Sequence, residues 1–221
     1  MNLKVLQIGS HIGDTENDPI FKSLTDSDNA LFVEPIPWLF EQLVENYNER
    51  YLNNSFIFIN KAVSSKGGKI ILYSPSKEND FDLYPKWTSQ LTSVYRNHIL
   101  NHTQFDFRNL IVEKNEIETI TLNEIILQFN IQNIGLLHID TEGHDYDILI
   151  NLDFRLVRPN KIMFEHRHMD GTNQSGFKYK KLLKYLEEHN YVFYFKSDYD
   201  TMVLDSGLLP SGRIESIKLI E

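Results

Sequence analysis

The chain has 221 residues, enough for one well-buried core and too few for two ordinary domains. Its 31 acidic residues outnumber 22 basic ones, and the net charge of -9 argues against a polyanionic partner, so no nucleic acid is expected. The absence of cysteine excludes disulfides, thiolate metal sites and a cysteine nucleophile; no apolar stretch approaches the ~20 residues of a bilayer span, so a soluble, cytoplasmic protein without a membrane partner is expected.

Leu3 to Ile8 is an apolar run too short for a helix, and it ends at Gly9, with Gly13 four residues further on. The pattern predicts a buried strand that turns tightly into a helix. The missing Cβ atoms would let a ligand approach the main chain, where helix N-terminal N–H groups can hold a carboxylate or phosphate. Residues 14–28 carry Pro19 and little periodicity beyond Phe21 and Leu24, and are assigned a short helix. Ala30–Val33 reads as a second strand, closed by Glu34, 21 residues past Gly13. A glycine turn followed at this distance by a strand-end acid predicts a nucleoside pocket, with Glu34 accepting from ribose hydroxyls. Each half alone has a plainer reading, as a strand terminator or a solvated carboxylate.

Phe40, Leu43, Val44, Tyr47 and Tyr51 recur at helical spacing, which predicts an amphipathic helix from Pro37. Ser55–Asn60 is the third strand, and Gly67-Gly68 turns into another over 69–73. From Pro75 to Val112 the chain is polar, with aromatics and no clean period. A lid or insertion over a polar, ring-shaped substrate would use Tyr84, Trp87, Tyr95, Arg96, His98 and His102. The same residues would equally cover the core's edge, with a short helix through Ser93–Leu100; both readings stay open.

Thr121 caps a helix marked by Leu122, Ile125, Ile126 and Phe129, with Glu124 completing the cap. Ile134–Asp140 is nearly all apolar, as a parallel strand buried on both faces should be. A helix with Ile148, Leu149 and Leu152 inward follows, then a fifth strand, Lys161–Glu165. Tyr179, Leu182, Leu183 and Leu186 mark the last helix, and Tyr191–Phe195 with Thr201–Leu204 forms a hairpin. The expected fold is therefore α/β: one doubly wound, mostly parallel sheet with an antiparallel edge, in a single domain over 1–221.

Ligands of such sheets bind outside the carboxyl ends of the strands. Glu34, Asp140 and Glu165 sit at those ends, and Asp140 opens the densest polar cluster, Asp140-Thr141-Glu142-Gly143-His144-Asp145. His138 and Asp140 share a strand face. Asp145 is read as a helix N-terminal charge, whereas Asp140 and Glu142 are read as site residues. Glu165-His166-Arg167-His168 lies on the neighbouring strand end. These carboxylates and imidazoles can supply a general base, hold a divalent metal through Asp140, Glu165 and His166, or do both.

Five stretches, taken in order, carry a resemblance: Gln7 to Asp14, Val33 to Pro37, Lys61 to Ser64, Ile120 to Glu124 and His138 to Asp145. Together they resemble the FkbM-type S-adenosylmethionine-dependent methyltransferases, from about Val5 to Glu165. The resemblance implies a class I methyltransferase (Rossmann-like) fold with the cofactor across the first two strand ends. It implies that Gly9, Ser10, His11 and Gly13 form the methionine loop, that Glu34 holds the ribose and that Ala62 lies near the adenine. It also assigns Asp140 and Glu142 to the family's acidic motif. The chain departs from the pattern twice, with Gln7 where Asp is usual and His138 where Lys is usual. The activity implied is O-methylation of a hydroxyl on a small molecule or sugar, with Asp140, His138, Glu165 and His166, in that order, as candidate bases. Two rivals remain. A nicotinamide-dependent oxidoreductase would need the third glycine that the loop lacks, and the two departures would suit a non-catalytic binding protein.

Overall fold

Short apolar runs bounded by turns give the chain its alternation of strands and helices. The computed structural model describes residues 1–16, 18–52, 54–100, 105–170 and 176–209, the side chain of His98 excepted. The first half contains β1 (Asn2–Ile8), β2 (Ala30–Val33), α1 (Pro37–Arg50), β3 (Ile57–Ile59), β4 (Ala62–Val63), β5 (Gly68–Pro75) and α2 (Arg96–Leu100). The second contains β6 (Val112–Ile120), α3 (Leu122–Gln128), β7 (Asn133–Ile139), α4 (Asp145–Leu149), β8 (Lys161–Glu165), α5 (Phe177–Glu188), β9 (Tyr191–Lys196) and β10 (Asp200–Asp205).

The main sheet runs β3-β2-β1-β7-β8-β10-β9. Its first five strands are mutually parallel, and β10 is antiparallel to both β8 and β9, so the terminal hairpin closes the sheet. The strand order reverses between β1 and β7, which is where such a sheet opens a crevice at its carboxyl edge. Side-chain alternation sends β1 to both faces. Val5 packs with Ala30, Phe32, Leu43 and Tyr47 under α1. Leu6 and Ile8 pack with Leu137, Ile139, Ile162 and Phe164 against Ile125, Ile148, Leu149, Leu182 and Leu186 of α3, α4 and α5. The sheet is therefore doubly wound, as expected. The Thr121 cap is also present: its hydroxyl accepts from the Glu124 N–H, and the Glu124 carboxylate accepts from the Thr121 N–H, a reciprocal pair that satisfies two otherwise orphaned donors.

Three elements differ from the sequence reading, the shortest being the two-residue strand β4, which it did not assign. Among the described residues of 14–28 there is a single 3-10 turn, Phe21–Ser23, instead of an α-helix. The nine-residue strand β6 was not anticipated. Its sequence is rich in Glu and Lys because one face is exposed, and Lys69 of β5 answers it with a 2.5 Å ion pair to Glu116. With β4 and β5 it forms a second sheet, ordered β4-β6-β5.

The stretch from β5 to β6 is structured among the described residues. It contains 3-10 turns at Phe81–Leu83 and Lys86–Gln90 as well as α2. Leu91, Ile99, Phe107 and Leu110 form a small core there, flanked by Tyr73, Tyr84 and Trp87. A bridge between Tyr73 and Ser93 fastens the stretch to β5. His102 lies outside the described residues. No helix among the described residues is long and apolar enough to cross a membrane.

Candidate active site

A cleft of 730 Å³ opens at the carboxyl ends of β1, β2, β7 and β8, within the ~300–1,000 Å³ usual for small-molecule sites. The main sheet supplies its floor. Ala62, Ile70 and Leu72 of the small sheet and Trp87, Leu91, Val94 and Phe105 of the β5–β6 stretch close it from the other side.

The glycine turn after β1 is shaped by packing. A Cβ on Gly9, at φ +78, would lie 1.8 Å from the Asp140 carbonyl oxygen, because β7's exit crosses directly over the turn. Gly13, at φ +75, faces α1, where a Cβ would come within 2.6 Å of the Tyr47 ring. Gly9 and Ser10 line the cleft, but Gly13 is not among its lining residues. The loop amides are largely occupied. Gly9 and Ser10 both donate to the Val33 carbonyl, at 2.9 and 3.0 Å, and Gly13 donates to the Ser10 carbonyl. The expected helix N-terminus with free N–H groups is thus replaced by a turn whose amides bond mainly to β2 and to Glu34.

Glu34 is buried and lines the cleft beside that turn. Its Oε2 accepts from the His11 N–H and its Oε1 from the Ile36 N–H, both at 2.9 Å. A carboxylate has about four lone-pair sites, so about two remain for a ligand. Burial pushes its pKa up to about 7 against those two hydrogen bonds. His11 adopts a positive φ of 48°, and burial lowers its pKa to about 4, which keeps the ring neutral. Ala62 lines the same end of the cleft.

Gln7 and His138 are paired in register across β1 and β7, on one face and both in the cleft wall. Burial lowers the His138 pKa to about 4, with Asp18 pulling the other way, so the ring is neutral. Gln7 donates from Nε2 to Asp18 Oδ2 at 2.7 Å, while Asp18 Oδ1 accepts from the Ile20 and Phe21 N–H groups. Asp18 therefore brings a carboxylate to the Gln7–His138 pair from the loop that replaced the helix. Sequence reasoning missed it, and a lone Asp before Pro19 in an aperiodic stretch offered little signal.

The opposite end of the cleft is acidic. The Asp140 carboxylate lines it and has no hydrogen-bond or ion-pair partner among the described residues, while the Asp140 N–H donates to the Ile8 carbonyl at 3.0 Å. Its surface is open to the cleft, whose walls surround it. Burial raises its pKa well above the usual carboxylate range, and Glu165, Glu142, Asp145 and Asp200 raise it further. Asp145 is fully buried and structural: it accepts from the Thr141 hydroxyl at 2.7 Å and from the Glu165 N–H at 3.2 Å, tying β7's exit to β8. Glu142, at φ 52, and Glu165 converge on His168, whose Nδ1 lies 3.1 and 2.5 Å from their carboxylates. Burial alone would lower the His168 pKa, but the two carboxylates outweigh it and raise it to about 10.

His166 does not join this group. Its ring is buried on the opposite face of the sheet, tilted against the Tyr179 ring at 4.8 Å and hydrogen-bonded through Nδ1 to Thr201 at 3.1 Å. The set Asp140, Glu165 and His166 therefore does not converge, and His168 stands where His166 was expected. Strand alternation carried the signal, since consecutive residues Glu165 and His166 must face opposite ways.

Comparison with known proteins bears on this arrangement. The model of the methyltransferase FkbM domain matches residues 7–193. No curated protein is detectably similar in sequence. Among solved structures, the chain is similar to the FkbM methyltransferase of Methylobacillus flagellatus KT, with a TM-score of 0.51 and 13% identity over 91% of this chain and 43% of that one. It also matches an O-methyltransferase of Bacillus cereus in complex with SAH (TM-score 0.43, 11% identity, 90% of this chain, 71% of that one). A third match is fibrillarin of Aeropyrum pernix with natively bound S-adenosyl-L-methionine (TM-score 0.43, 12% identity, 92% and 66%). The chain spans less than half the length of the Methylobacillus protein, and at 13% identity that likeness is one of fold. The family model, however, takes in most of the sequence, including both ends of the cleft, and the chain belongs to the FkbM methyltransferase family.

Proposed function

We propose that the chain transfers a methyl group from S-adenosylmethionine to a hydroxyl oxygen of a small molecule or sugar. The observation that carries this reading is the unpaired Asp140 carboxylate, which shares one cleft with the glycine turn and Glu34 on one side and Glu165 on the other. Sheet order separates Glu34 and Glu165 by three strand spacings, roughly 14 Å. That span suits a nucleoside at the Glu34 end and an acceptor at the Glu165 end, with the reacting atoms near Asp140.

In this reading Glu34 takes the ribose hydroxyls, Ala62 borders the adenine, and Gly9, Ser10 and His11 follow the methionine chain. Gly13 acts from behind, by letting the turn pack on Tyr47. An acceptor-oxygen lone pair forms the O–CH₃ bond while the S–CH₃ bond breaks. The electron pair stays on sulfur, which becomes the thioether of S-adenosylhomocysteine. The acceptor proton passes to Asp140. A carboxyl held above its usual range takes a proton more readily near neutral pH, and such help is worth about 10²–10⁴-fold. His138, neutral and set beside Gln7, and Glu165, partnered by His168, are secondary choices for that role. The wall formed by Trp87 and Phe105 serves as the lid that excludes water. The net charge of -9 and the carboxylates of the acceptor end disfavour a polyanionic acceptor.

Calorimetric titration with S-adenosylhomocysteine and, separately, with NAD tests the reading. Binding of the first alone is the expected result. Binding of NAD alone favours an oxidoreductase, and binding of neither favours a scaffold that retains the fold.

A further inference from the structure

Among the described residues, one trio brings two carboxylates and an imidazole together with all three ligand atoms within 4.8 Å of one another: Glu142, Glu165 and His168. We propose that this trio binds one borderline divalent cation of the Mn²⁺ kind at the ends of β7 and β8.

Four observations support a site there. Glu165 is 5% exposed, and its Oε2 is buried with no hydrogen-bond partner among the described residues, although it belongs to a residue in the cleft wall. A buried carboxylate oxygen left unpaired is costly, and a cation removes the cost. Among the described lining residues of this end, the four carboxylates Asp140, Glu142, Glu165 and Asp200 outnumber the cationic groups Arg167 and His168. The geometry is close to what a metal needs. Ligand atoms about 2.1 Å from an octahedral ion lie about 3 Å from one another. The separation of His168 Nδ1 from Glu142 is 3.1 Å already, and its 2.5 Å approach to Glu165 has to open by only a few tenths of an ångström. Finally, the cleft itself provides an entry path.

One imidazole with two carboxylates favours Mn²⁺, Fe²⁺ or Zn²⁺ over Mg²⁺, which prefers an all-oxygen shell. Binding exchanges the imidazole's proton for the cation. The bound ion lies in the cleft beside Asp140, where an acceptor hydroxyl would meet it and become more acidic. That use of the ion rests on the methyl-transfer reading, whereas binding of the ion does not.

The test is titration of the full chain with MnCl₂, following free Mn²⁺ by electron paramagnetic resonance. Wild type is expected to bind one equivalent. Glu142→Gln and His168→Ala should each weaken binding by more than the roughly 10–100-fold that loss of an outer-shell partner causes. Glu116→Gln, on the exposed face of the small sheet, should bind as wild type does. Far-ultraviolet spectra identify any variant that fails to fold, and half-exposed Glu142 provides a variant outside the core. An unchanged free-ion signal with wild type overturns the site, as do folded Glu142→Gln and His168→Ala proteins that bind Mn²⁺ like wild type. S-adenosylhomocysteine titrated into the same samples separates the two ideas. Mn²⁺ binding without it keeps the metal site and removes the methyl-transfer reading; its binding without Mn²⁺ does the reverse.

Discussion

Glu34 offers a test whose size follows from the structure. Its carboxylate is buried, fixed by the His11 and Ile36 amides at 2.9 Å, and pushed up to about 7 by burial. Because the pKa is raised, the ionised form is lost as pH falls through about 7. A simple titration gives an ionised fraction of about 0.9 at pH 8 and about 0.1 at pH 6. Hydrogen bonds from ribose hydroxyls are roughly twice as strong to a carboxylate as to a neutral acceptor. Wild-type affinity for S-adenosylhomocysteine should therefore fall by up to about tenfold between those two pH values. Glu34→Gln should bind more weakly at pH 8 by about 1–3 kcal/mol, and its affinity should change less with pH. Asp145 and Glu165 also titrate in this window, at about 7 and about 8, so the difference between the two proteins is the quantity to read by calorimetry. Parallel pH profiles for wild type and Glu34→Gln, or equal affinity at pH 8 in a folded variant, would refute the assignment.

Asp140→Asn should lower kcat by about 10²–10⁴-fold while leaving S-adenosylhomocysteine affinity nearly unchanged; a loss of less than about tenfold passes the base role to His138 or Glu165. Gly13→Val places a branched side chain at φ +75 against Tyr47, so it should destabilise the fold by about 2–5 kcal/mol in urea unfolding. Stability equal to wild type would return Gly13 to a purely ligand-facing role. Trp87→Ala, which removes a ring packed 5.3 Å from Phe105 in the cleft wall, should weaken acceptor binding more than cofactor binding. Amide exchange over Lys86–Gln90 should slow when both ligands are bound; exchange indifferent to ligands counts against a lid.

What the sequence made legible follows from which forces act locally. The runs Leu3–Ile8, Ala30–Val33 and Lys161–Glu165 are short, apolar and bounded by turns, and all three are strands of the parallel centre. The Thr121–Glu124 cap is a local hydrogen-bond exchange and reads directly from four residues. β6 was invisible because its stability comes from pairing with β5, and its charged face needs only solvent and Lys69. The loop over 14–28 was misread because Asp18 satisfies the amides of Ile20 and Phe21 from its side chain, which lets the segment do without a helix. At the site, positions on strand ends were recoverable, but partners set by facing were not all recovered. Alternation puts His166 on the face opposite Glu165, but the convergence of His168 on Glu142 and Glu165 lies past the end of β8, where strand periodicity no longer applies.

The two departures from the family pattern take on a different meaning once their positions are known. Taken singly, Gln7 removes an acid and His138 removes a lysine, and each looks like a lost function. The structure pairs them in register on neighbouring strands, on the same face of the sheet. An acid and a lysine at such positions would offset each other's charge. Glutamine and a histidine held neutral by burial offset nothing and need nothing, so the net charge of the pair is zero either way. The carboxylate absent from the end of β1 has a counterpart in Asp18, held at 2.7 Å by the Gln7 amide. Exchange of a buried ion pair for a neutral pair is often close to neutral in stability, whereas the loss of one partner alone is strongly destabilising. In this structure the two positions form one neutral pair on neighbouring strands, with Asp18 as the carboxylate beside it.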